Sequence, residues 1–131
     1  MIVVDTNVIA YLYLNGENTA AAEKLLQKDA EWIVPTLWRS EFRNILAGYI
    51  RRGQISFDQA HAIQSEAEDM LRDGEYIIDS RSVFELIMDS DCSAYDCEFV
   101  ALARSQRVQL VTADKKILRS FPSETRALRI T

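Results

Sequence analysis

Four acidic residues, Asp5, Glu41, Asp96 and Asp114, stand at strand ends or on the apolar stripes of helices, where a folded chain ordinarily places apolar or neutral side chains. A buried carboxylate without a partner is costly to desolvate, so acids in such places predict bound cations. An all-oxygen ligand set suits a hard ion, Mg²⁺ or Mn²⁺, and lacks the His and Cys that zinc prefers. Such an ion lowers the pKa of a bound water, orients it for attack and stabilises negative charge that develops on a substrate. No covalent protein nucleophile is then required.

Each acid also has a plainer explanation. Asp5 and Asp114 both precede short helices and could be N-caps, and Ser93-Ala94-Tyr95-Asp96 resembles a capping box with Asp in place of Glu or Gln. Asp96 nevertheless stands three and four residues before Phe99 and Val100, on a buried stripe. Glu41 lies three residues after Trp38 and four before Ile45, so it shares their helix face and sits too deep to cap; an ion pair with an arginine is the competing use. Topology tips the balance, because ligands of open parallel sheets bind beyond the carboxyl ends of the strands. If the first and fourth strands are neighbours, Asp5 and Asp114 converge there.

Asp5 and Asp96 are expected to hold the principal metal, with Glu41 and Asp114 ligating directly, acting through water or helping to bind a second ion. Thr6, Asn7 and Thr112 are candidates to orient those carboxylates or a water, though turn and capping roles suit them equally. His61, the only histidine, falls beside the apolar stripe of its helix and reads as a surface or boundary residue. Cys92 and Cys97 lack a second pair and a nearby histidine, so they read as structural thiols suited to a reducing cytosol, the expected compartment.

The elements that must position these residues alternate short strands with longer helices, the pattern of βαβ units and a mostly parallel sheet. Strands are predicted at 2–4, 32–34, 76–78, 109–111 and 127–130. Helices are predicted at 6–13, 19–28, from Thr36 to Arg52, from a capping box at Ser56 and Gln59 to Gly74, and at 83–88, 93–106 and 115–121. A length of 131 residues predicts one domain spanning 1–131. Asp5 and Asn7 interrupt the first apolar run, which excludes a secretory signal, and Val8 to Leu14 is too short to span a bilayer.

A net charge of −5 argues against a surface coated with cations for tight nonspecific nucleic-acid binding. Local basic patches are compatible with it. Arg39, Arg43, Arg51 and Arg52 cluster in one predicted helix and Lys115 and Lys116 follow Asp114, so they could flank an acidic centre or merely solvate helix faces.

Taken in order, Asp5-Thr6-Asn7-Val8-Ile9, Pro35 followed by Glu41, Ser93-Ala94-Tyr95-Asp96 leading into Phe99-Val100-Ala101-Leu102-Ala103, and Thr112-Ala113-Asp114-Lys115-Lys116 resemble the PIN domain family, and specifically its VapC-like ribonuclease toxins. The resemblance covers essentially the full length. It implies a three-layer α/β/α sandwich with a mostly parallel five-stranded sheet in the order 3-2-1-4-5, and a catalytic site of Asp5, Glu41, Asp96 and Asp114 using Mg²⁺ or Mn²⁺. It further implies RNA as substrate, a small VapB-like antitoxin covering the acidic groove, and homodimerisation, to which Trp38 and Phe84 could contribute, with core packing as their competing use. Two other functions compete with an endoribonuclease. One is a noncatalytic PIN-like binding module, and the other an aspartate-based, phosphatase-like α/β domain in which Asp5 is the nucleophile; the latter is weakened by Asn7, where a second acid would be wanted.

Overall fold

A computed structural model of the chain describes residues 1–129. Five strands, β1 (Ile2–Val4), β2 (Trp32–Pro35), β3 (Glu75–Tyr76), β4 (Leu110–Thr112) and β5 (Thr125–Ala127), pair in the order β3-β2-β1-β4-β5. Every ladder is parallel. The helices are α1 (Thr6–Tyr13), α2 (Thr19–Lys28), α3 (Trp38–Arg51), α4 (Phe57–Leu71), α5 (Ser80–Met88), α6 (Ala94–Gln106) and α7 (Lys115–Ser120). The result is the three-layer sandwich expected from the sequence.

All residues of β1, β2 and β4 are buried, as a sheet covered on both faces requires. Against it pack α6, through Phe99, Val100, Leu102 and Ala103, and α1, through Val8 and Ile9. The capping box at Ser56 and Gln59 forms in full at the start of α4. Past the basic end of α3, Gly53 takes a φ of 73°, the left-handed geometry that favours glycine after a helix.

Several boundaries differ from expectation. Pro35 closes β2 from inside, as its last residue, paired with Tyr76. β3 ends at Tyr76 because the apolar run that predicted it leaves the sheet, and Ile77 is 91% exposed. α5 starts three residues early, at Ser80, because Asp79 caps it by accepting from the Ser82 N–H at 3.0 Å. β5 begins at Thr125, whose buried hydroxyl donates to the Phe121 carbonyl at 2.7 Å; the Ile130 end of the predicted strand lies outside the described residues. Trp38 is fully buried, which removes it from any exposed surface, whereas Phe84 is 63% exposed.

For the acids the decisive feature is the central pair. β1 and β4 are neighbours with Val4 opposite Val111, so the chain leaves both strands at the same edge, toward Asp5 and Asp114.

Candidate active site

Asp5 follows β1 directly and is the N-cap of α1. Its Oδ1 accepts from the Val8 N–H at 3.0 Å, and its Oδ2 accepts from the Thr112 hydroxyl at the end of β4. Thr112, fully buried, also accepts from the Asp114 N–H at 3.0 Å, so one hydroxyl ties the ends of two strands together. Asp114 in turn caps α7 by accepting from the Ile117 N–H at 3.0 Å.

Glu41 enters from the other side. It falls in the first turn of α3, closer to the helix start than the sequence suggested, yet its carboxylate does not cap. Instead Oε1 accepts from the buried Thr6 hydroxyl at 2.7 Å. The arginine pairing that competed for Glu41 is not made among the described residues; Arg39 binds Glu75 at 2.6 Å and Glu68 at 3.1 Å. Asp96 sits in the first turn of α6, where Ser93 accepts its N–H at 3.0 Å. Cys92 and Cys97, both buried, occupy the two positions flanking this turn at which apolar side chains staple a helix entry.

All four acids therefore stand at helix N-termini, where backbone dipoles favour negative charge. They also feel one another. Burial, opposed by hydrogen bonds from Thr112 and Val8, pushes the Asp5 carboxyl up to about 6, and the Asp114 and Glu41 charges add to the rise. Burial raises Glu41 as well, with the Thr6 hydroxyl opposing and Asp96 reinforcing. Asp96 is raised by burial and by Asp114, while Ser93 and the Lys116 ammonium pull it down. Among the described residues none of the four carboxylates is in a salt bridge.

Thr6, Asn7, Glu41 and Asp96 line an open cleft of about 240 Å³ together with Asn44 and Phe99. Asn44 was not anticipated, although its position one helical turn after Glu41 could have marked it. Glu98, half-buried and raised by burial and by Glu41, is a further acid the spacing did not single out. His61 is exposed on α4, away from these residues. Among the described residues no three His, Cys, Asp or Glu side chains are already gathered as one coordination shell. The acids thus share a neighbourhood without closing on a point. Their donor chemistry nonetheless fits a hard cation: the donors are all oxygen, mutually repelling and outside any salt bridge among the described residues, and each hydrogen-bonded carboxylate oxygen keeps a free lone pair.

A family model for the PIN domain matches residues 2–121. The chain belongs to the PIN domain family. Ribonuclease VapC3 of Pyrobaculum aerophilum is 29% identical to it over 125 residues, covering 93% of this chain and 95% of that protein. The same PIN fold recurs in solved structures. PAE2754 from Pyrobaculum aerophilum superposes with a TM-score of 0.77 at 17% identity, over 97% of this chain and 90% of that one. A toxin–antitoxin complex from Klebsiella pneumoniae gives 0.72 at 16% identity, with both chains covered in full. FitAcB from Neisseria gonorrhoeae gives 0.75 at 14% identity, over 95% and 96% of the two chains.

Proposed function

We propose that this 131-residue PIN domain is a Mg²⁺- or Mn²⁺-dependent endoribonuclease, the toxin of a toxin–antitoxin pair, working as one domain in the cytoplasm. The observation that carries the reading is that Asp5, Glu41, Asp96 and Asp114 stand at neighbouring helix N-termini beyond adjacent parallel strands, where the charges of Glu41, Asp96 and Asp114 help to raise the pKa values of Asp5, Glu41 and Asp96, with none of the four in a salt bridge among the described residues. The likeness to a ribonuclease VapC3 supports RNA as the substrate, and the fold shared with a toxin–antitoxin complex supports a protein inhibitor over the cleft. No described helix is long and apolar enough to cross a membrane. Homodimerisation is part of the proposal, and the exposed Phe84 and Met88 on α5 are among the apolar groups available to it.

A bound divalent ion would activate water and stabilise charge on the scissile phosphate. Asp5 and Asp96 are the proposed principal ligands, with Glu41 and Asp114 as direct or water-mediated ones. Thr112 fixes the Asp5 carboxylate and Thr6 fixes that of Glu41, so both acids are oriented before anything binds. Asn7, exposed at the cleft, is free to orient water or substrate.

The phosphatase-like alternative fares poorly, because both Asp5 oxygens accept hydrogen bonds and the residue is 7% exposed, which blunts a nucleophile. The test is sequencing of RNA ends after brief expression of the wild type and of Asp5→Asn. New ends at defined sites, absent with the variant and abolished in vitro by EDTA, are expected. Ends that persist undiminished with Asp5→Asn would sink the assignment.

A further inference from the structure

A second groove, of about 690 Å³, lies away from the acidic cleft, between α2 and the β4–β5 edge of the sheet. Leu25 and Val111 belong to its apolar floor, and Lys24, Lys28, Arg126 and Arg129 to its rim. The placement follows from simple geometry. Lys24 and Lys28 are four residues apart on α2 and share a helix face, while Val111 and Arg126 are directly opposite in the β4–β5 ladder and so face the same side of the sheet. All four cations are exposed, and none is in an ion pair among the described residues. Asp29 lies within the field of Arg126, but its carboxylate is taken by the N-terminal ammonium at 2.9 Å.

In a chain of net charge −5, this concentrates positive charge that no ion pair among the described residues takes up. The groove reaches the carboxyl end of β4. Leu128, in its wall, donates its N–H to the Thr112 carbonyl at 3.0 Å, and Thr112 is the residue that holds Asp5. From there the groove follows β4 and β5 back to Gln109 and Lys28, at the amino ends of the strands.

We propose that this groove is the track for a single RNA strand extending from the acidic cleft, with Lys24, Lys28 and Arg126 receiving its backbone phosphates and the apolar floor facing its sugars and bases. The inference rests on the ribonuclease reading above for its choice of polyanion. No aromatic ring is among the described lining residues, so the track holds RNA by charge rather than by base stacking and is tolerant of sequence. It lengthens the footprint without choosing the site of cleavage.

The test is fluorescence anisotropy of a labelled single-stranded RNA of random sequence, in EDTA so that nothing is cut, across a salt series. Lys28→Glu and Arg126→Glu should each lower the slope of log affinity against log salt by about 1, and the double variant should weaken binding by about tenfold or more at ~0.1 M salt. Arg81→Glu, exposed on α5 and outside both grooves, should bind like the wild type. Thermal melts establish that the variants fold. Unchanged affinity in the double variant overturns the track, as does a groove that takes labelled oligoglutamate through Lys28 and no RNA. Cleavage with Mg²⁺ separates the two readings. A wild type that binds RNA through these cations but never cuts it sinks the nuclease and leaves the track standing; a wild type that cuts with the same KM as the double variant does the reverse.

Discussion

At Asp5 capping and the proposed metal binding are not rivals, because one oxygen caps the start of α1 and the other is held by Thr112 from a different strand. Its cost appears in its acidity. The ordinary value of 3.8 rises to about 6, mainly through burial. Below the lower value the carboxyl is protonated folded or unfolded and nothing is lost. As pH climbs through about 6, the folded state must ionise a buried group, and the gap corresponds to about 3 kcal/mol of stability lost at ~1.4 kcal/mol per pKa unit. Asn carries no charge and can keep the cap on Val8 through its amide oxygen, while its NH2 can meet Thr112 only by donating to the hydroxyl, reversing that bond. Asp5→Asn in EDTA is therefore expected to raise the melting temperature by several degrees near neutral pH and to leave it unchanged near pH 4. A variant less stable than wild type near neutral pH would show that burying this charge is no standing cost.

At the scale of elements, precision resides where backbones approach closely. A Cβ on Gly74 would come within 2.4 Å of the Trp32 carbonyl oxygen, so Gly74→Ala must push β3 away from β2. It is expected to cost about 1–3 kcal/mol in urea unfolding and to loosen α3 as well, since Trp38 and Arg39 both bond to Glu75 beside it. An unchanged unfolding midpoint would mean that the turn gives way freely. These couplings also bound what sequence reading can do. Helices with local signatures, such as the Ser56 cap of α4, were legible to the residue. β3 and β5 were not, because apolar runs ending in Ile78 and Ile130 mark hydrophobicity, whereas strand ends are fixed by partners far along the chain. That Asp5 and Asp114 follow neighbouring strands was legible from the expected strand order. The hydroxyls that orient the acids, Thr112 for Asp5 and Thr6 for Glu41, were only two of several plausible turn residues until the fold paired them. Likewise the arginine cluster of α3 gave no hint that Arg39 is spent on Glu75 and Glu68 rather than on the acids.

For the whole molecule, the convergence of four helix N-termini on one edge of a parallel sheet makes a place that is electrostatically frustrated when empty. On the proposed reading a divalent ion relieves the frustration, so Mn²⁺ at about 100 times its dissociation constant is expected to add about 2.7 kcal/mol, read as a rise of several degrees in melting temperature. Asp96→Asn should remove most of that rise; a rise that survives there would place the ion elsewhere. The bond from Thr112 to Asp5 spans 107 positions of sequence, and α7, with Asp114, comes later still. Synthesis runs from the N-terminus, so a ribosome has displayed β1, α3 and α6 before the strand that completes the acidic site exists. On the proposed reading, a nuclease of this topology is inert on the ribosome until β4 and α7 have been made, and the message that encodes it is spared until then.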